Sequence, residues 1–307
     1  MKRRTFLKTG ITGTAALALS PMLACGTNQK QLHISLAEWS LNRSFRDGSL
    51  DANDFASIAM DKYGIGACEY VNGFYTEHAT DEKFWNEMKL RSDNAGVVNK
   101  VLMVDDEGDL GVADDAERLQ SVENHYKWVH AASLLGCETM RVNAFGDPDR
   151  EKYRNAIIDA MSRLAEYAAP LGINIVIENH GLFSSDADLI TGIIKEINLS
   201  NFGSLPDFGN WCLSAKWGTT QFECEKAYDR YQGVAELLPY AKSVSAKSYN
   251  FNEKGEDTKI DYYRMMKLVK ESDYDGYIGI EYEGTEKSEH EGILLTKELM
   301  QKAWEVV

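Results

Sequence analysis

Short apolar runs alternate with longer amphipathic stretches along the chain from residue 32 onward. The short runs predict buried strands, and the longer stretches have the apolar spacing of helices. The predicted strands are 32–37, 65–71, 97–104, 138–143, 173–179, 202–207, 243–249 and 277–283. The predicted helices are 51–63, 81–95, 113–135, 149–170, 186–197, 225–239, 261–272 and 289–304. Eight strands in strict alternation with eight helices predict a single α/β domain, a (β/α)8 TIM barrel.

Residues at the predicted helix ends agree with this division of the chain. Asp51 is suited to cap the first helix, and Pro148 is suited to the first turn of the fourth. Gly96, Gly136 and Gly172 follow the second, third and fourth helices, where a left-handed backbone is common. These residues support the helix boundaries that the hydrophobic pattern predicts and indicate no further helix.

Two connections are longer than the others, namely 208–224 after the sixth strand and 250–260 after the seventh. Long loops in a compact domain commonly carry function. Both connections follow the carboxyl ends of barrel strands, where active sites of this fold lie. We therefore expect the functional site at that end of the barrel.

Three of the predicted strands end in carboxylates: Glu178, Asp207 and Glu281. A buried carboxylate is costly unless it is paired, protonated or bound to a metal. Any one of these acids could simply pair with Arg141 or Lys247. Three of them at equivalent strand ends favour a site for a divalent cation that prefers oxygen ligands.

The segments Glu178-Asn-His180, Asp207-Phe-Gly-Asn210 and Ile280-Glu281 resemble the xylose-isomerase-like barrel family of sugar isomerases and epimerases. The resemblance extends over roughly residues 32–304. It implies one divalent metal ion, with Mn²⁺ as the first choice and Mg²⁺, Co²⁺ or Zn²⁺ also open. The implied ligands are Glu178, Asp207 and Glu281.

The chain departs from the family on strand seven. Ser245 stands where the family places a histidine ligand. Serine binds divalent ions poorly, so either the fourth position is open or another group fills it. His180 is the candidate, because residues two apart on a strand share a face and His180 therefore lies on the same side as Glu178.

The resemblance also implies that Glu178 and Glu281 exchange protons with the substrate. Lys247 and His180 are additional catalytic candidates from their positions, although Lys247 could equally lie on the surface. Glu69 and Arg141 could pair with each other instead of meeting substrate. The predicted substrate-binding residues are Trp39, Glu69, Arg141, Asn143, Asn210 and Glu283.

Such a site predicts deprotonation beside a sugar carbonyl, with the metal ion stabilising the resulting enediolate. Returning the proton gives isomerisation or epimerisation. Expelling a β-leaving group gives instead a lyase or hydrolase of 3-keto-glycosides. A non-catalytic protein that binds carbohydrate is the third hypothesis, which the loss of the strand-seven histidine at Ser245 favours and the three retained acids oppose.

The first 25 residues contain a twin-arginine pattern, Lys2-Arg-Arg-Thr-Phe-Leu-Lys8, and a short apolar run before Leu-Ala-Cys25. Together these resemble a bacterial twin-arginine lipoprotein signal with lipidation at Cys25. We predict a signal at 1–25, a tether at 26–31 and the barrel at 32–307. The expected location is the periplasm, with membrane contact only through the lipid anchor.

The charge and motif content of the chain limit the classes of ligand that we expect it to bind. A formal net charge of −15 makes nucleic-acid binding a poor hypothesis. No phosphate-binding loop, dinucleotide fingerprint or serine-hydrolase elbow occurs in the sequence. Export and the lack of a basic phosphate clamp predict an unphosphorylated sugar or keto sugar as substrate. Homo-oligomerisation stays open.

Four cysteines remain beside Cys25. Cys68 and Cys137 lie in apolar surroundings in or beside predicted strands and are expected to be small core residues. Cys212 and Cys224 are twelve residues apart in one loop, and the sequence leaves open whether they form a disulfide. The acid-rich loop 105–111 is expected to be solvated, because it lacks the length and ligand order of a calcium-binding loop.

Overall fold

The strands of this chain form one parallel sheet in the computed structural model, which describes residues 30–307. Within that range the strands are β1 (His33–Ala37), β2 (Ala67–Val71), β3 (Val98–Val104), β4 (Thr139–Val142), β5 (Asn174–Glu178), β6 (Phe202–Leu205), β7 (Val244–Ser248) and β8 (Tyr277–Tyr282). Hydrogen-bonded neighbours follow the order β6-β5-β4-β3-β2-β1-β8-β7. Isolated parallel bridges at Ser204–Ala241 and Asp207–Ser245 join β6 to β7 and complete the (β/α)8 barrel.

Helices follow the strands in the predicted alternation. They are α1 (Asn42–Arg46), α2 (Phe55–Tyr63), α3 (Glu82–Ala95), α4 (Asp115–Leu135), α5 (Arg150–Ala168), α6 (Ala187–Ile197), α7 (Arg230–Leu237), α8 (Tyr262–Glu271) and α9 (Glu289–Val306). All the predicted helices are confirmed. The short α1 was not predicted, because five residues do not establish a helical period. Between residues 30 and 307, no helix combines the length and apolar character needed to cross a membrane.

Several predicted helix starts need correction, and α2 begins at Phe55 and α4 at Asp115, later than the predicted 51 and 113. Helix α7 begins at Arg230 and not at 225, because Ala227 pairs with Cys212 in an antiparallel bridge that keeps this segment extended. Helix α5 begins at Arg150, because the Asp149 carboxylate accepts the backbone N–H groups of Glu151 and Lys152 as the N-cap. Pro148 therefore precedes the cap.

The helix ends agree better with the sequence. Gly96, Gly136 and Gly172 all adopt the left-handed conformation, with φ angles of 71°, 81° and 72°. The Asp51 side chain accepts the backbone N–H of Asn53 at the turn that leads into α2. The glycine signals therefore located the helix ends correctly, whereas Asp51 caps the 3-10 turn Ala52–Asp54 and α2 itself begins at Phe55.

Apolar side chains fill two regions of the barrel. The larger lies between the strands and the surrounding helices, and a small separate cluster lies inside the barrel. The inner cluster consists of Ala37, Val71, Val101, Met103, Val176 and Leu205. Since strand residues two apart share a face, Val176 and Leu205 precede the inward-facing Glu178 and Asp207. The inner cluster thus supports the acids from the middle of the barrel.

The cysteines of the described region have distinct roles. Cys212 and Cys224 form a disulfide that closes the long loop after β6. Cys68 and Cys137 are free and buried, as expected for core residues. The predicted signal at 1–25, its lipidation residue Cys25 and most of the tether lie outside the described residues.

Candidate active site

Three acids meet at the carboxyl ends of β5, β6 and β8. Glu178 ends β5, Asp207 follows β6 by two residues, and Glu281 is the penultimate residue of β8. One carboxylate oxygen from each lies within 4.8 Å of those of the other two. All three side chains are buried. The structure therefore brings together the three acids that the sequence predicts as metal ligands.

Burial and neighbouring carboxylates disfavour the charged forms of Glu178 and Asp207. Burial raises the pKa of Glu178 well above its usual value, and the neighbouring Glu281 and Asp207 add to the rise. The pKa of Asp207 rises to about 7, again mainly by burial. Arg141 and Lys247 oppose the rise at Glu178, and Lys247 opposes the rise at Asp207, without cancelling either. A further positive charge would therefore stabilise the ionised cluster.

Ser245 bridges two of the acids in place of the family's histidine. Its hydroxyl lies 2.6 Å from Oδ2 of Asp207 and 3.0 Å from Oε2 of Glu281. A hydroxyl carries one proton, so Ser245 donates to one carboxylate at a time. The other oxygen of Asp207 accepts the backbone N–H groups of Gly209 and Asn210 at 2.7 and 2.8 Å. These bonds orient the acid toward the cluster.

Asn210 contributes an oxygen without a partner. Its Nδ2 donates to Oε1 of Glu178 at 3.2 Å. Its Oδ1 is buried and has no hydrogen-bond partner among the described residues. An orphaned buried oxygen beside three carboxylates is an acceptor suited to a hard cation or a substrate hydroxyl. The residues present therefore fit a divalent metal ion, with Glu178, Asp207 and Glu281 as the groups that would hold it.

Lys247 projects into the barrel and not to the surface. Its Nζ lies 3.3 Å from Oε2 of Glu281 and 3.2 Å from Oε1 of Glu283, and the residue is 1% exposed. Burial opposes its charge, but the surrounding carboxylates, Glu281 foremost, raise the pKa of Lys247 well above its usual value. Lys247 is therefore a buried ammonium group at neutral pH.

A polar network links the acids to the other side of the barrel. Nε of Arg141 lies 2.9 Å from Oε2 of Glu178 and forms an ion pair without hydrogen-bond geometry. Nη1 of Arg141 donates a hydrogen bond to Asp105 at 2.6 Å. Nδ2 of Asn143 donates to the same Asp105 oxygen at 2.6 Å. This bond assigns Oδ1 of Asn143 as the acceptor for Nδ1–H of His180, at 2.6 Å.

His180 lies beside the three acids but outside the cluster they form. Its Nδ1 is 3.7 Å from Oε2 of Glu178 and is hydrogen-bonded to Asn143. Among the described residues, the group whose possible ligand atoms all lie within 4.8 Å of one another consists of the three acids and does not include His180. Burial, followed by the charges of Arg141 and Lys247, lowers the pKa of His180 well below its usual value. A neutral imidazole with its Nε2 lone pair free is therefore present, and its role as fourth ligand stays a prediction.

Asp105 is a site residue that the sequence analysis missed. The loop 105–111 was expected to be solvated, yet the Asp105 side chain is 16% exposed and lines the cavity. Burial opposes its charge, but Arg141 holds the pKa of Asp105 below its usual value. Asn72 fixes its backbone through bonds to both the N–H and the carbonyl. Its position directly after β3 was the available signal.

Of the predicted substrate-binding residues, Trp39, Arg141 and Glu283 are among the described residues that line the cavity, and Glu69, Asn143 and Asn210 are not. Glu69 accepts a hydrogen bond from Ser35 at 2.6 Å and fills the space over Gly279, where a Cβ would lie 2.6 Å from its carboxylate. Burial raises its pKa to about 7. It is not among the described residues that line the cavity, and Arg141 pairs with Asp105 and Glu178 instead. Glu69 is therefore placed in the barrel interior.

A cavity of about 520 Å³ adjoins the cluster, and Glu281 is the one of the three acids that is among its described lining residues. Trp39 and Phe74 contribute aromatic rings from the β1 and β2 ends, and Trp217 contributes one from the loop after β6. The polar lining residues are Arg46, Asp105, Asp106, Arg141, His180, Thr219, Lys247, Glu281 and Glu283. Mixed aromatic and hydrogen-bonding walls are suited to a polyhydroxylated ligand with apolar faces.

Comparison with known proteins identifies the class. Residues 59–302 match the model of the xylose isomerase-like TIM barrel family, and the chain belongs to this family. Predicted membership and predicted fold are both confirmed. No curated protein matches the chain.

Solved structures share the fold at low sequence identity. A xylose isomerase-like TIM barrel protein from Mycobacterium smegmatis in complex with magnesium is 14% identical, with a TM-score of 0.62 over 90% of this chain and 96% of that one. D-psicose 3-epimerase from Clostridium cellulolyticum H10, solved with D-tagatose, is 10% identical, with a TM-score of 0.65 over 89% and 97%. The 3-keto-D-glucoside 4-epimerase YcjR from E. coli is 14% identical, with a TM-score of 0.60 over 88% and 100%.

Proposed function

We propose that this protein is a divalent-metal-dependent isomerase or epimerase of an unphosphorylated sugar or keto sugar. The observation that carries the proposal is the convergence of Glu178, Asp207 and Glu281, of which Glu281 lines the cavity, beside the orphaned oxygen of Asn210. Solved structures of similar fold include sugar epimerases and a magnesium complex, which supports the class of enzyme and the need for a divalent ion.

Glu178 and Glu281 are the proposed acid and base. They approach the cluster from β5 and β8, so a sugar bound between them presents opposite faces to the two carboxylates. When bound, the metal ion would stabilise negative charge on the carbonyl and neighbouring hydroxyl oxygens of the substrate. Lys247 holds Glu281 in place, and Arg141 does the same for Glu178.

The charges of the cavity support an unphosphorylated substrate. Among the described residues that line it, the cationic side chains are Arg46, Arg141 and Lys247. Carboxylates already engage Arg141 and Lys247, and Arg46 stacks on Trp39 with its guanidinium 4.7 Å from the ring centroid. A phosphate group would therefore displace existing ion pairs and add charge to an acidic cavity.

Elimination from a 3-keto-glycoside is the second candidate function. The size of the cavity favours it, because about 520 Å³ holds more than a single sugar ring. The same carboxylates would remove the proton, and the departing group would occupy the outer part of the cavity. Product analysis separates the two reactions, because elimination releases an aglycone and epimerisation does not.

We further propose that the protein is exported and anchored by a lipid at Cys25. The Cys212–Cys224 disulfide supports export, because disulfides persist in oxidising compartments such as the periplasm. Mass spectrometry of the protein from the membrane fraction tests this, with a diacylated N-terminal Cys25 as the expected result. Recovery with residues 1–24 intact contradicts it.

Metal content and solvent-deuterium exchange test the proposed function together. Elemental mass spectrometry of the wild-type protein should give about one divalent ion per chain, and keto sugars should gain deuterium at the carbon beside the carbonyl. Glu178→Gln should lose both, while the surface variant Glu271→Gln should retain both. If the protein binds metal but no keto sugar gains deuterium, the hypothesis of a non-catalytic carbohydrate-binding protein is favoured instead.

A further inference from the structure

The loop closed by the Cys212–Cys224 disulfide presents an exposed tryptophan at the cavity. Trp217 is 41% exposed and lines the cavity wall. Its φ angle is +70°, in the left-handed region that bulky residues rarely adopt. Exposure of a large apolar ring and backbone strain both carry a cost, and strained residues of this kind cluster at ligand sites.

The surrounding contacts hold Trp217 in this conformation. Lys216 forms an antiparallel bridge with Gly181, directly after His180 on the β5 side. A Cβ on Gly218 would lie 2.4 Å from the backbone nitrogen of Gly181, so the two loops touch backbone to backbone. The Trp217 ring packs edge-on against His180, with ring centroids 5.1 Å apart. The exposed ring is therefore held in place beside a site residue.

A second pair of aromatic rings lies on the other side of the cavity. Trp39 and Phe74 follow β1 and β2, and their ring centroids are 6.4 Å apart. In an eight-stranded barrel, β1 and β2 lie across from β5 and β6. The two aromatic walls therefore flank the cavity, with the carboxylate cluster below them.

From this arrangement we propose that Trp217 forms one wall of a second sugar subsite, so that the preferred ligand is a glycoside of two sugar rings. The inference rests on the proposed function only for the inner ring, which the carboxylate cluster would hold. Apolar faces of a pyranose pack on aromatic rings. The outer acids Asp106 and Glu283 would accept its hydroxyl groups, which favours a hydroxylated second ring over a bare apolar group.

Isothermal titration of the full-length protein loaded with Mn²⁺ tests the subsite. The probes are methyl α- and β-glycosides of glucose, galactose and mannose, and the disaccharides with the same non-reducing sugars. At least one disaccharide should bind about tenfold tighter than its matching methyl glycoside. Trp217→Ala should remove that advantage and change the affinity for the methyl glycoside less than about twofold.

Phe222→Ala is the matched control, because Phe222 is 66% exposed in the same disulfide-closed loop and is not among the described residues lining the cavity. It should retain the wild-type preference. Equal affinities for one-ring and two-ring ligands throughout, or an equal loss of both in Trp217→Ala, would overturn the proposal. Binding is read separately from turnover, so a two-ring preference without deuterium exchange supports the subsite and refutes the proposed reaction.

Discussion

Two buried acidic regions near the carboxyl end of the barrel show different solutions to the same physical problem. Glu38 directly follows β1 and is fully buried, and burial raises its pKa to about 8. The cluster of Glu178, Asp207 and Glu281 is also buried, and burial raises the pKa values of Glu178 and Asp207. Burial therefore acts on both regions, and their hydrogen-bond partners distinguish them.

One proton on the Glu38 carboxyl group is enough to complete the hydrogen bonds of this residue. The Tyr75 hydroxyl lies 2.5 Å from Oε1 of Glu38 and 2.9 Å from the carbonyl of Ala52, but it has one proton to donate. If Glu38 is protonated, it donates to Tyr75, and Tyr75 donates to Ala52. The backbone N–H of Val71 bonds the other carboxyl oxygen at 2.7 Å. Glu38 is thus complete as a neutral group.

Protonation does not satisfy the hydrogen bonds of the three-acid cluster in the same way. Asp207 accepts two backbone N–H groups and the Ser245 hydroxyl, all of which favour its charged form. Glu281 is paired with the buried ammonium of Lys247. Hydrogen bonds that favour charge, within a group of mutually repelling acids, indicate a site that a cation completes. A raised pKa alone would not have separated this cluster from Glu38.

Removal of a cluster carboxylate should have the largest effect. Asp207→Asn should abolish metal binding and lower kcat/KM by about a thousandfold or more, because the proposed chemistry depends on the bound ion. Elemental mass spectrometry and steady-state kinetics measure the two quantities. Glu38→Gln should keep both near wild type, since Gln resembles the neutral acid. Activity of Asp207→Asn within tenfold of wild type would contradict the assignment.

Glu38 should contribute a measurable share of the pH dependence of stability. The folded protein holds the Glu38 proton between the unfolded pKa of 4.5 and the folded value of about 8. Stability from this group is therefore fully present below 4.5 and falls as pH rises toward 8. Between pH 5 and 8 the wild-type free energy of unfolding should fall by about 3 kcal/mol more than that of Glu38→Gln. The free energies come from urea titrations at each pH. An equal change with pH in wild type and Glu38→Gln would show that Glu38 is ionised in the folded state.

Metal loading should stabilise the fold through the cluster alone. At a free ion concentration of about 100 times Kd, the gain is about 2.7 kcal/mol. Differential scanning calorimetry should show a rise in Tm for wild type and Glu38→Gln. The rise should weaken as pH falls below the Asp207 pKa of about 7, because protons then compete with the ion. A comparable rise in Asp207→Asn would place the ion elsewhere.

Ser245 should give the smallest of these effects. Ser245→Ala removes the hydroxyl that bonds Asp207 and Glu281, and loss of such a partner should weaken metal binding about tenfold. Ser248→Ala is the matched control on the same strand, because Ser248 faces outward and bonds Thr296 at 2.6 Å. Calorimetric metal titrations compare the two variants. Identical affinities would mean that Ser245 contributes nothing to the cluster.

Sequence patterns predicted the barrel and its acids because both depend on local order. Alternation of short apolar runs with amphipathic stretches located all eight strands of the described region. Glu178, Asp207 and Glu281 were recognisable because each interrupts an apolar run at a strand end. Parallel strands necessarily bring such ends together, so the cluster of acids followed from the topology.

Loop residues were harder to predict because their positions depend on distant partners. Asp105 was read as part of a solvated loop, and its role appears only where Arg141 and Asn143 reach it from β4. Trp217 belongs to a loop without regular structure, and its place at the cavity depends on the disulfide and on the contact with Gly181. No pattern of neighbouring residues contains that information.

Fold class, the order of elements and the three inward-facing acids thus follow from hydrophobic periodicity, which is written residue by residue along the chain. The charge of Lys247, the neutral state of His180 and the wall formed by Trp217 depend on groups more than thirty residues away. Burial and side-chain proximity across the barrel set these properties, because a pKa or a ring contact is determined by what surrounds a group in space.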